Sequence, residues 1–240
     1  MISHISSRTN QKVVEAGKLK NKKEIIARQE FLLEGIKSIE MALKANLVKE
    51  IFTIRELDNI PEDIPQYIVN APIISKLSSY ISPEGVVAVV RTLPQTKPEK
   101  MHKVVYLDNI QDPGNMGTII RTALAFNYDA IVVSEDSVSI YNPKVVAASK
   151  GAMFLIPIIT GELKEFKGSH KIIVSTLQDD SIELSKLEKP TDFVLVLGNE
   201  AHGVRQETLA LSDINVKIQI NNIDSLNVAI AGAILMHHFQ

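Results

Sequence analysis

Residues 108–123 concentrate the polar side chains and turn residues that an α/β active site requires. They follow an apolar run at residues 104–107 that predicts a buried strand, and they end in a periodic apolar stretch that predicts a helix. The turn between the two contains a proline, two glycines and side-chain amides, including that of Asn115, and Arg121 follows in the first turns of the helix. Because open α/β sheets bind ligands where strands lead into helices, this segment is the first candidate for chemistry.

Two further polar loops, residues 197–203 and 221–227, also come directly after apolar runs that predict strands. The carboxyl ends of parallel strands share one edge of a sheet, so the three loops are expected to bring their side chains together. For any single loop a simpler interpretation stays open, in which Gly and Asn form tight turns and Ser225 caps the last helix. The polar candidates from the three loops are Asn115, Arg121, Glu200, Ser225 and Asn227.

Several other chemistries lack the residues that they need. The sequence has no glycine-rich dinucleotide fingerprint, no phosphate-binding P-loop and no Gly-x-Ser-x-Gly nucleophile turn. Cysteine is absent, which excludes disulfides, a thiolate nucleophile and a cysteine-ligated zinc site. The six histidines show no ligand spacing around a carboxylate cluster, so no metal is expected. His202 lies in a candidate loop, where it either reaches a ligand or is simply solvated.

The order of strand and helix patterns predicts an α/β fold with a mostly parallel sheet, because strands separated by helices imply right-handed crossovers. We expect a small domain at residues 1–93, a linker with two prolines at 94–103 and a larger domain at 104–240. Strands are predicted at residues 51–54, 67–69, 86–90, 104–107, 130–133, 171–175, 193–197 and 214–220. Helices are predicted at residues 38–45, 118–126, 143–150, 205–210 and 226–239.

The composition is that of a globular protein with a packed core, since 45% of the 240 residues are hydrophobic and 22% are charged. No apolar run approaches the ~20 residues that a membrane span needs, and the amino-terminal residues lack a signal-peptide core. We therefore expect a cytoplasmic protein without membrane contact. The last predicted helix is apolar on almost all faces, which favours packing inside its domain or against a partner chain.

The formal net charge of −2 does not by itself indicate a nucleic-acid partner, but its distribution is uneven. Residues 1–28 contain seven basic and two acidic side chains. Two interpretations stay open, a solvated helical face and a basic arm that contacts phosphates. The basic residues are Arg8, Lys12, Lys18, Lys20, Lys22, Lys23 and Arg28.

The polar loops match the motifs of a known family in both order and spacing. Residues 112–123 (Asp-Pro-Gly-Asn-Met-Gly-Thr-Ile-Ile-Arg-Thr-Ala), 195–200 with Gly203, and 224–229 resemble the three signatures of the SpoU (TrmH-type) RNA ribose methyltransferases of the SPOUT class. Residues 141–146 also fit this family. Residues 31–35 and 82–88 resemble its small substrate-binding domain, so the resemblance covers nearly the whole chain.

This resemblance implies S-adenosylmethionine-dependent methylation of a ribose 2′-hydroxyl in RNA, with ribosomal RNA as the expected substrate. It also implies a carboxyl-terminal trefoil knot around the cofactor, a small RNA-binding domain ahead of it and a homodimer. Two alternatives stay open. One is a transfer-RNA ribose methyltransferase of the same fold, and the other is a non-catalytic RNA-binding protein whose cofactor site has decayed.

The resemblance also assigns expected roles residue by residue. Arg121 and Asn115 would meet the target nucleotide, and a guanidinium is better suited to stabilising a developing alkoxide or holding a phosphate than to removing a proton. Ser225 and Asn227 would orient groups by hydrogen bonds, and Glu200 would lie close to the cofactor. The residues expected to bind S-adenosylmethionine are Leu197, Gly198, Glu200, Ile218, Ile220, Leu226 and Asn227.

The sequence departs from the family pattern ahead of the third signature. Residues 218–222 read Ile-Gln-Ile-Asn-Asn, where the family usually has Ile-Pro-Met and a glycine, and the loop is one residue shorter. Ala201 stands where glycine is usual, and Ala147 stands where arginine is frequent. These departures predict a reshaped backbone around the cofactor, and they are the reason for keeping the decayed-site alternative.

Overall fold

A computed structural model of the chain describes residues 1–178 and 181–240. Its strands are β1 (Ile2–Ile5), β2 (Glu30–Glu34), β3 (Val48–Thr53), β4 (Gln66–Val69), β5 (Val86–Arg91), β6 (Lys103–Leu107), β7 (Ala130–Val133), β8 (Ile158–Thr160), β9 (Lys171–Ser175), β10 (Ile182–Glu183), β11 (Phe193–Leu197) and β12 (Ile214–Lys217). Its helices are α1 (Gln11–Lys18), α2 (Lys22–Arg28), α3 (Ile36–Lys44), α4 (Ala71–Leu77), α5 (Pro113–Ala125), α6 (Pro143–Ser149), α7 (Gln206–Leu209) and α8 (Val228–His238). Short 3₁₀ turns occur at Ala152–Phe154, Leu163–Phe166 and Leu184–Lys186.

The contacts divide the chain into two compact units. Unit 1 consists of residues 1–93 and 141–154, and unit 2 consists of residues 94–140 and 155–240. None of the helices in the described residues is long and apolar enough to cross a membrane.

Unit 1 contains a five-stranded mixed sheet in the order β1-β4-β3-β5-β2. The pairs β1–β4 and β3–β4 are parallel, and β5 pairs antiparallel with both β3 and β2. Helices α1 and α4 pack together over one face, where Val13, Leu19 and Ile73 are fully or nearly fully buried beside Phe52. The segment that contains α6 packs on β2, with the rings of Tyr141 and Phe31 4.9 Å apart.

Unit 2 contains a seven-stranded sheet in the order β10-β12-β9-β11-β6-β7-β8, and every described pair is parallel. The predicted α/β class with a mostly parallel sheet is therefore confirmed. Alternate residues of the central strands face opposite sides, so Tyr106 and Val196 contribute to one core cluster with Phe166. On the helical layer, α8 packs against α5 and β11. This arrangement places the carboxyl ends of β6, β9, β11 and β12 at one edge.

Two helix boundaries follow from local capping chemistry. Helix α5 begins at Pro113, five residues before the predicted start, because the Asp112 carboxylate accepts from the backbone N–H of Asn115 (2.7 Å). Proline is well suited to the first helical position, where its missing N–H costs no hydrogen bond. Helix α8 begins at Val228 because the Asn227 side chain accepts from the N–H groups of Ala229 and Ile230. The alternative that Ser225 caps this helix is therefore wrong.

Other predicted boundaries differ from the observed ones because contacts with neighbouring strands determine where an element ends. Strand β12 ends at Lys217 instead of residue 220, since its neighbour β10 is only two residues long and offers no further partner. The sequence patterns do not predict seven of the strands and helices, namely β1, β2, β8, β10, α1, α2 and α4. The segment expected to act as a linker contains no helix or strand from residue 94 to 102, yet Gln95 bonds the backbone of Ile158 and Thr160.

Candidate functional site

A cavity of about 510 Å³ lies at the carboxyl edge of the unit 2 sheet, and we refer to it as the carboxyl-edge cavity. Its walls come from the ends of β9, β11 and β12 and from the first turns of α8. A pocket of this size at this edge is the usual ligand site of an open α/β sheet. The predicted residues that line it are Leu197, Gly198, Glu200, Ile218, Ile220, Ser225 and Leu226.

Gly198 lets two backbone segments approach each other at the wall of this cavity. A Cβ atom at residue 198 would lie 2.5 Å from the backbone nitrogen of Val204 and 2.6 Å from the carbonyl carbon of Gly203. Contacts this short force the backbone to move, so only glycine fits without rearrangement. The loop is closed by paired backbone hydrogen bonds between Asn199 and Gly203, both 2.9 Å.

The Glu200 carboxylate joins this loop to the start of α5. Its oxygens accept hydrogen bonds from the backbone N–H groups of Gln111 (3.2 Å) and Asp112 (3.1 Å). A third bond comes from the Asn115 side-chain nitrogen at 3.1 Å. The negative charge of Glu200 therefore lies at the positive end of a helix, which is a favourable position.

Asn115 in turn connects Glu200 to Asn227 at the start of α8. The Asn227 Nδ2 atom donates to the Asn115 Oδ1 atom at 2.9 Å, while the Oδ1 atom of Asn227 caps its own helix. Three residues predicted from three separate loops therefore form one continuous chain of hydrogen bonds. Asn115 and Asn227 do not line the carboxyl-edge cavity but lie beside it through their bonds to Glu200 and to the α8 terminus.

Arg121 is placed differently from the other candidates. It lies six residues after Asn115 on α5, about 9 Å further along the helix axis, and its side chain is exposed. Within residues 1–178 and 181–240 it has no hydrogen bond or ion pair. The structure therefore leaves this guanidinium available to a ligand without bringing it to the Asn115–Glu200 contact.

An ion pair between the buried Asp108 and Arg205 holds the 198–205 loop against the end of β6. The sequence motifs do not indicate this pair. The Asp108 side chain is fully buried at the end of β6 and accepts from the backbone N–H of Arg205 (2.9 Å) and from its Nε (2.7 Å). Burial disfavours the charge of Arg205, but the hydrogen bond and charge of Asp108 outweigh it, so the pKa of Arg205 is raised. No motif signals this pair, because the two residues lie 97 positions apart.

The sequence analysis also missed the contribution of β9 to the cavity. Ser175, the last residue of β9, lines the wall together with Thr176 and Gln178, which follow the strand. A signal was available, because β9 was predicted correctly and its carboxyl end had to share the edge with the other loops. No cluster of metal-binding side chains is present among the described residues.

The basic residues near the amino terminus lie on and around α1 and α2 instead of forming an extended arm. Several are already paired within unit 1, as in Lys12–Glu50 (3.2 Å), Lys18–Glu15 (2.7 Å) and Arg28–Glu30 (3.1 Å). Lys20 donates to the Ser78 carbonyl at 2.6 Å. Lys22 and Lys23 are exposed and have no side-chain partner in the described part of the chain.

Comparison with known proteins identifies relatives along the whole chain. The model of the SpoU rRNA methylase family matches residues 102–237, and that of the MRM3-like substrate binding domain matches residues 10–88. The chain is 32% identical to the 23S rRNA (guanosine(2553)-2′-O)-methyltransferase RlmP of Bacillus subtilis, over 100% of both chains. It is 28% identical to an uncharacterized tRNA/rRNA methyltransferase of Synechocystis, over 98% of this chain and 93% of the relative.

A solved structure with the same fold contains a bound cofactor. The AdoMet-bound rRNA methyltransferase from Sinorhizobium meliloti superposes with a TM-score of 0.86 at 26% identity. The superposition covers 99% of this chain and 97% of the other.

Proposed function

This chain belongs to the SpoU rRNA methylase family, and we propose that it transfers a methyl group from S-adenosylmethionine to a ribose 2′-hydroxyl of ribosomal RNA. The observation that carries the proposal is the hydrogen-bonded chain Glu200–Asn115–Asn227 beside the carboxyl-edge cavity. This chain of hydrogen bonds brings the three signature loops together at one place. Methyl transfer requires such an arrangement because the site must align two reactants.

The carboxyl-edge cavity fits S-adenosylmethionine in size and lining. Apolar side chains of Leu197, Ile218 and Leu226 suit the flat adenosine part, while Thr176 and Gln178 offer polar groups. The close backbone approach at Gly198 gives the loop a shape that a side chain would fill. We therefore propose that Leu197, Gly198, Glu200, Ile218, Ile220, Leu226 and Asn227 hold or border the cofactor.

The cofactor supplies an electrophilic methyl group on a sulfonium sulphur. The chain's own residues bind and orient the ribose and stabilise the charge that develops on its oxygen as the hydroxyl proton passes to solvent water. Asn115 keeps one N–H and one acceptor lone pair free after its two bonds, so it is suited to orienting the ribose. Arg121 stabilises the developing alkoxide or holds a neighbouring phosphate, and Ser225 orients a polar group at the cavity wall.

Glu200 has a positioning role in this proposal. Three donors already bond its carboxylate, so its oxygens hold the cavity loop and Asn115 instead of the ribose hydroxyl. Its position instead fixes the amide of Asn115 and ties the cavity loop to α5.

We further propose that the protein is a homodimer built on α5 and α8. The exposed face of α8 presents Ile230 (53% exposed) and Ile234 (40% exposed), next to the helix that carries Arg121. Apolar residues in a row on a helix favour burial against a second copy. Arg121 of one protomer would then act near the two-fold axis, which accounts for its distance from Asn115 within one chain.

The backbone of unit 2 is proposed to form the trefoil knot of its family. Supporting features are the position of β11 between β6 and β9 and the tight loop at residues 198–204. Unit 1 is proposed to bind the RNA, with Lys22 and Lys23 as two unpaired cations at the start of α2. Since ribosomal RNA is the proposed substrate, the proposed location is the cytoplasm. Full-length similarity to a 23S rRNA enzyme favours ribosomal over transfer RNA.

Cofactor binding tests this function against the decayed-site alternative. Calorimetry is expected to detect S-adenosylmethionine binding to the purified protein, and Gly198→Val is expected to abolish it because the side chain would displace the 203–204 backbone. Gly17→Val, on α1 in unit 1, serves as the matched control, since a Cβ at that glycine would meet its nearest neighbours at the ordinary contact distances of 3.9 and 4.0 Å. A folded wild-type protein that binds no cofactor would support the non-catalytic alternative.

A further inference from the structure

A second cavity, of about 430 Å³, lies within unit 1, and we refer to it as the unit 1 cavity. Its volume falls in the range of sites that bind small molecules. Four aliphatic side chains and two charged ones surround it, together with Thr53 and Gly85. The aliphatic residues are Ile36, Ile54, Leu57 and Val86, and the charged ones are Arg55 and Glu84.

The walls of this cavity are held in place by hydrogen bonds. The backbone N–H of Ile54 donates to the Gly85 carbonyl (3.0 Å), which joins the two sides. The Gln66 side chain brackets Leu57, accepting from its N–H at 3.0 Å and donating to its carbonyl at 3.2 Å. The Thr53 hydroxyl donates to the carbonyl of Arg55 at 2.7 Å. A ligand would therefore meet a site that is already formed.

The two charged side chains are free to bind a ligand. In the part of unit 1 that the structure describes, neither the Arg55 guanidinium nor the Glu84 carboxylate has a hydrogen-bond or ion-pair partner. The Glu84 carboxylate lies over Gly35, where a Cβ would be 3.5 Å from its Oε2 atom. Burial, together with the charges of Glu34 and Glu84, raises the pKa of Tyr80.

We propose that the unit 1 cavity binds an unpaired guanine base of the RNA substrate. Ile36 and Ile54 contact the faces of the base, and the Glu84 carboxylate accepts hydrogen bonds from its N1–H and exocyclic N2–H₂ groups. Arg55 contacts the neighbouring phosphate or stacks on the base. The proposal rests on RNA being the substrate and adds to it a recognised base distinct from the methylated ribose.

The chemistry of Glu84 favours guanine over the other three bases. An ionised carboxylate only accepts hydrogen bonds, and guanine presents two adjacent donors on its Watson–Crick edge. Adenine and cytosine place a ring acceptor beside their amino donor, and uracil flanks its single N–H with two carbonyls. Each of these edges would bring an oxygen or nitrogen lone pair against the carboxylate, which costs binding energy.

Methyl signals of the full-length protein provide a direct test. Isoleucine-labelled protein is titrated with a short uridine oligomer that carries one central guanosine, and with matched oligomers carrying adenosine, cytidine or uridine there. We expect the Ile36 and Ile54 signals to shift with the guanosine oligomer at the lowest concentration. Glu84→Gln is expected to weaken that binding about tenfold, whereas Glu56→Gln, which removes the charge of another exposed glutamate that does not line the cavity, leaves it unchanged.

The same spectra separate this inference from the proposed function. S-adenosylmethionine is expected to shift Ile218 and Ile220, which line the carboxyl-edge cavity. If those signals respond while Ile36 and Ile54 ignore every oligomer, or respond equally to all four, the guanine site is refuted and the proposed function stands. If Ile218 and Ile220 do not respond, the cofactor proposal fails whatever happens in unit 1.

Discussion

The Asn115 side chain lies between the Glu200 carboxylate, which only accepts hydrogen bonds, and the Asn227 amide, which donates one to it. These two neighbours determine the orientation of the Asn115 amide. Glu200 must receive the Nδ2 hydrogen, so the Oδ1 atom faces Asn227. The direction of every bond in this chain is set by the ionised carboxylate at its end. In the proposed reaction, Glu200 therefore controls how Asn115 is presented to the ribose.

Glu200→Gln tests whether the Glu200 carboxylate orients the Asn115 side chain. The glutamine amide places N–H hydrogens against the donors of Gln111, Asp112 or Asn115, so Asn115 should rotate or shift. We expect kcat for methyl transfer to fall about a hundredfold, the usual scale for small misplacement of a reacting group. Steady-state kinetics measures the change, and thermal unfolding checks that the fold is intact.

Glu188→Gln is the matched control, because this exposed glutamate lies outside both cavities. If Glu200→Gln retains the kcat of wild type, the hydrogen-bonded chain has no role in presenting Asn115. The positioning role assigned to Glu200 would then be withdrawn.

The sequence predicts these residues well because the chemistry and the topology agree. Polar loops after parallel strands must meet at one edge, so the amino-acid sequence alone is enough to group Asn115, Glu200 and Asn227. The sequence does not predict the Asp108–Arg205 pair. Its partners are distant in the chain, and only the folded position of the 198–205 loop brings them together.

At the scale of strands and helices, the predicted bounds are correct where local residues determine where an element ends. They are wrong where neighbouring strands determine it. The bounds of β7, β9 and β11 are predicted correctly, since each is a short apolar run bounded by polar or turn residues. Strand β12 is shorter than its apolar pattern, and the rest of that pattern, at Ile218 and Ile220, lines the carboxyl-edge cavity instead. Hydrophobicity alone does not distinguish a side chain that packs in a core from one that faces an apolar ligand.

Asp108→Asn tests how the end of β6 holds the 198–205 loop. The variant removes the negative charge that is paired with Arg205. The Arg205 side chain is 32% exposed, and it keeps Asp136 and Glu207 as ion-pair partners. We expect the free energy of unfolding to fall by about 2 kcal/mol, within the range for a lost partner of a charged group. Urea denaturation measures the change.

The exposed partner of the same arginine provides the control. Asp136→Asn removes an ion pair at 3.1 Å in which Asp136 is 70% exposed, so its effect should stay below about 1 kcal/mol. Equal losses for the two variants would show that burial of Asp108 has no special importance for the loop.

Helix α2 offers a test of RNA binding by unit 1. Lys23→Glu should weaken RNA binding and reduce the slope of log K against log salt by about one, as expected when one phosphate contact is lost. Lys20 is not a suitable site for this change, because it also bonds the Ser78 carbonyl. Fluorescence anisotropy at several salt concentrations measures the slope.

Lys44→Glu, an equal charge change at the end of α3, is the comparison for that experiment. If both variants lower RNA affinity equally, the effect reflects total charge. The basic residues near the amino terminus would then be only a solvated face.

At the scale of the whole molecule, the exposed apolar face of α8 predicts a second copy of the chain. Ile234→Arg should convert a dimer to a monomer, because a two-fold interface would bury the new charge twice. Ala231, by contrast, lines the carboxyl-edge cavity, so a change there would confuse assembly with cofactor binding. Light scattering at micromolar concentration reports the mass.

Ile26→Arg is the control for assembly, since Ile26 is 65% exposed on α2 in unit 1. It should leave the dimer intact. A wild-type protein that is monomeric at these concentrations would contradict the proposed assembly and the action of Arg121 across a two-fold axis.

The central claim is ribose methylation of ribosomal RNA, and mapping of 2′-O-methyl groups tests it most directly. RNA is compared from cells that carry the gene, lack it, or lack it and express either wild type or Arg121→Ala. We predict that a ribosomal nucleotide loses its 2′-O-methyl group on deletion and regains it with wild type but not with Arg121→Ala, because one lost charge-stabilising contact costs about 10²–10³ in rate. Identical ribosomal maps with and without the gene, or a loss confined to transfer RNA, would contradict the claim.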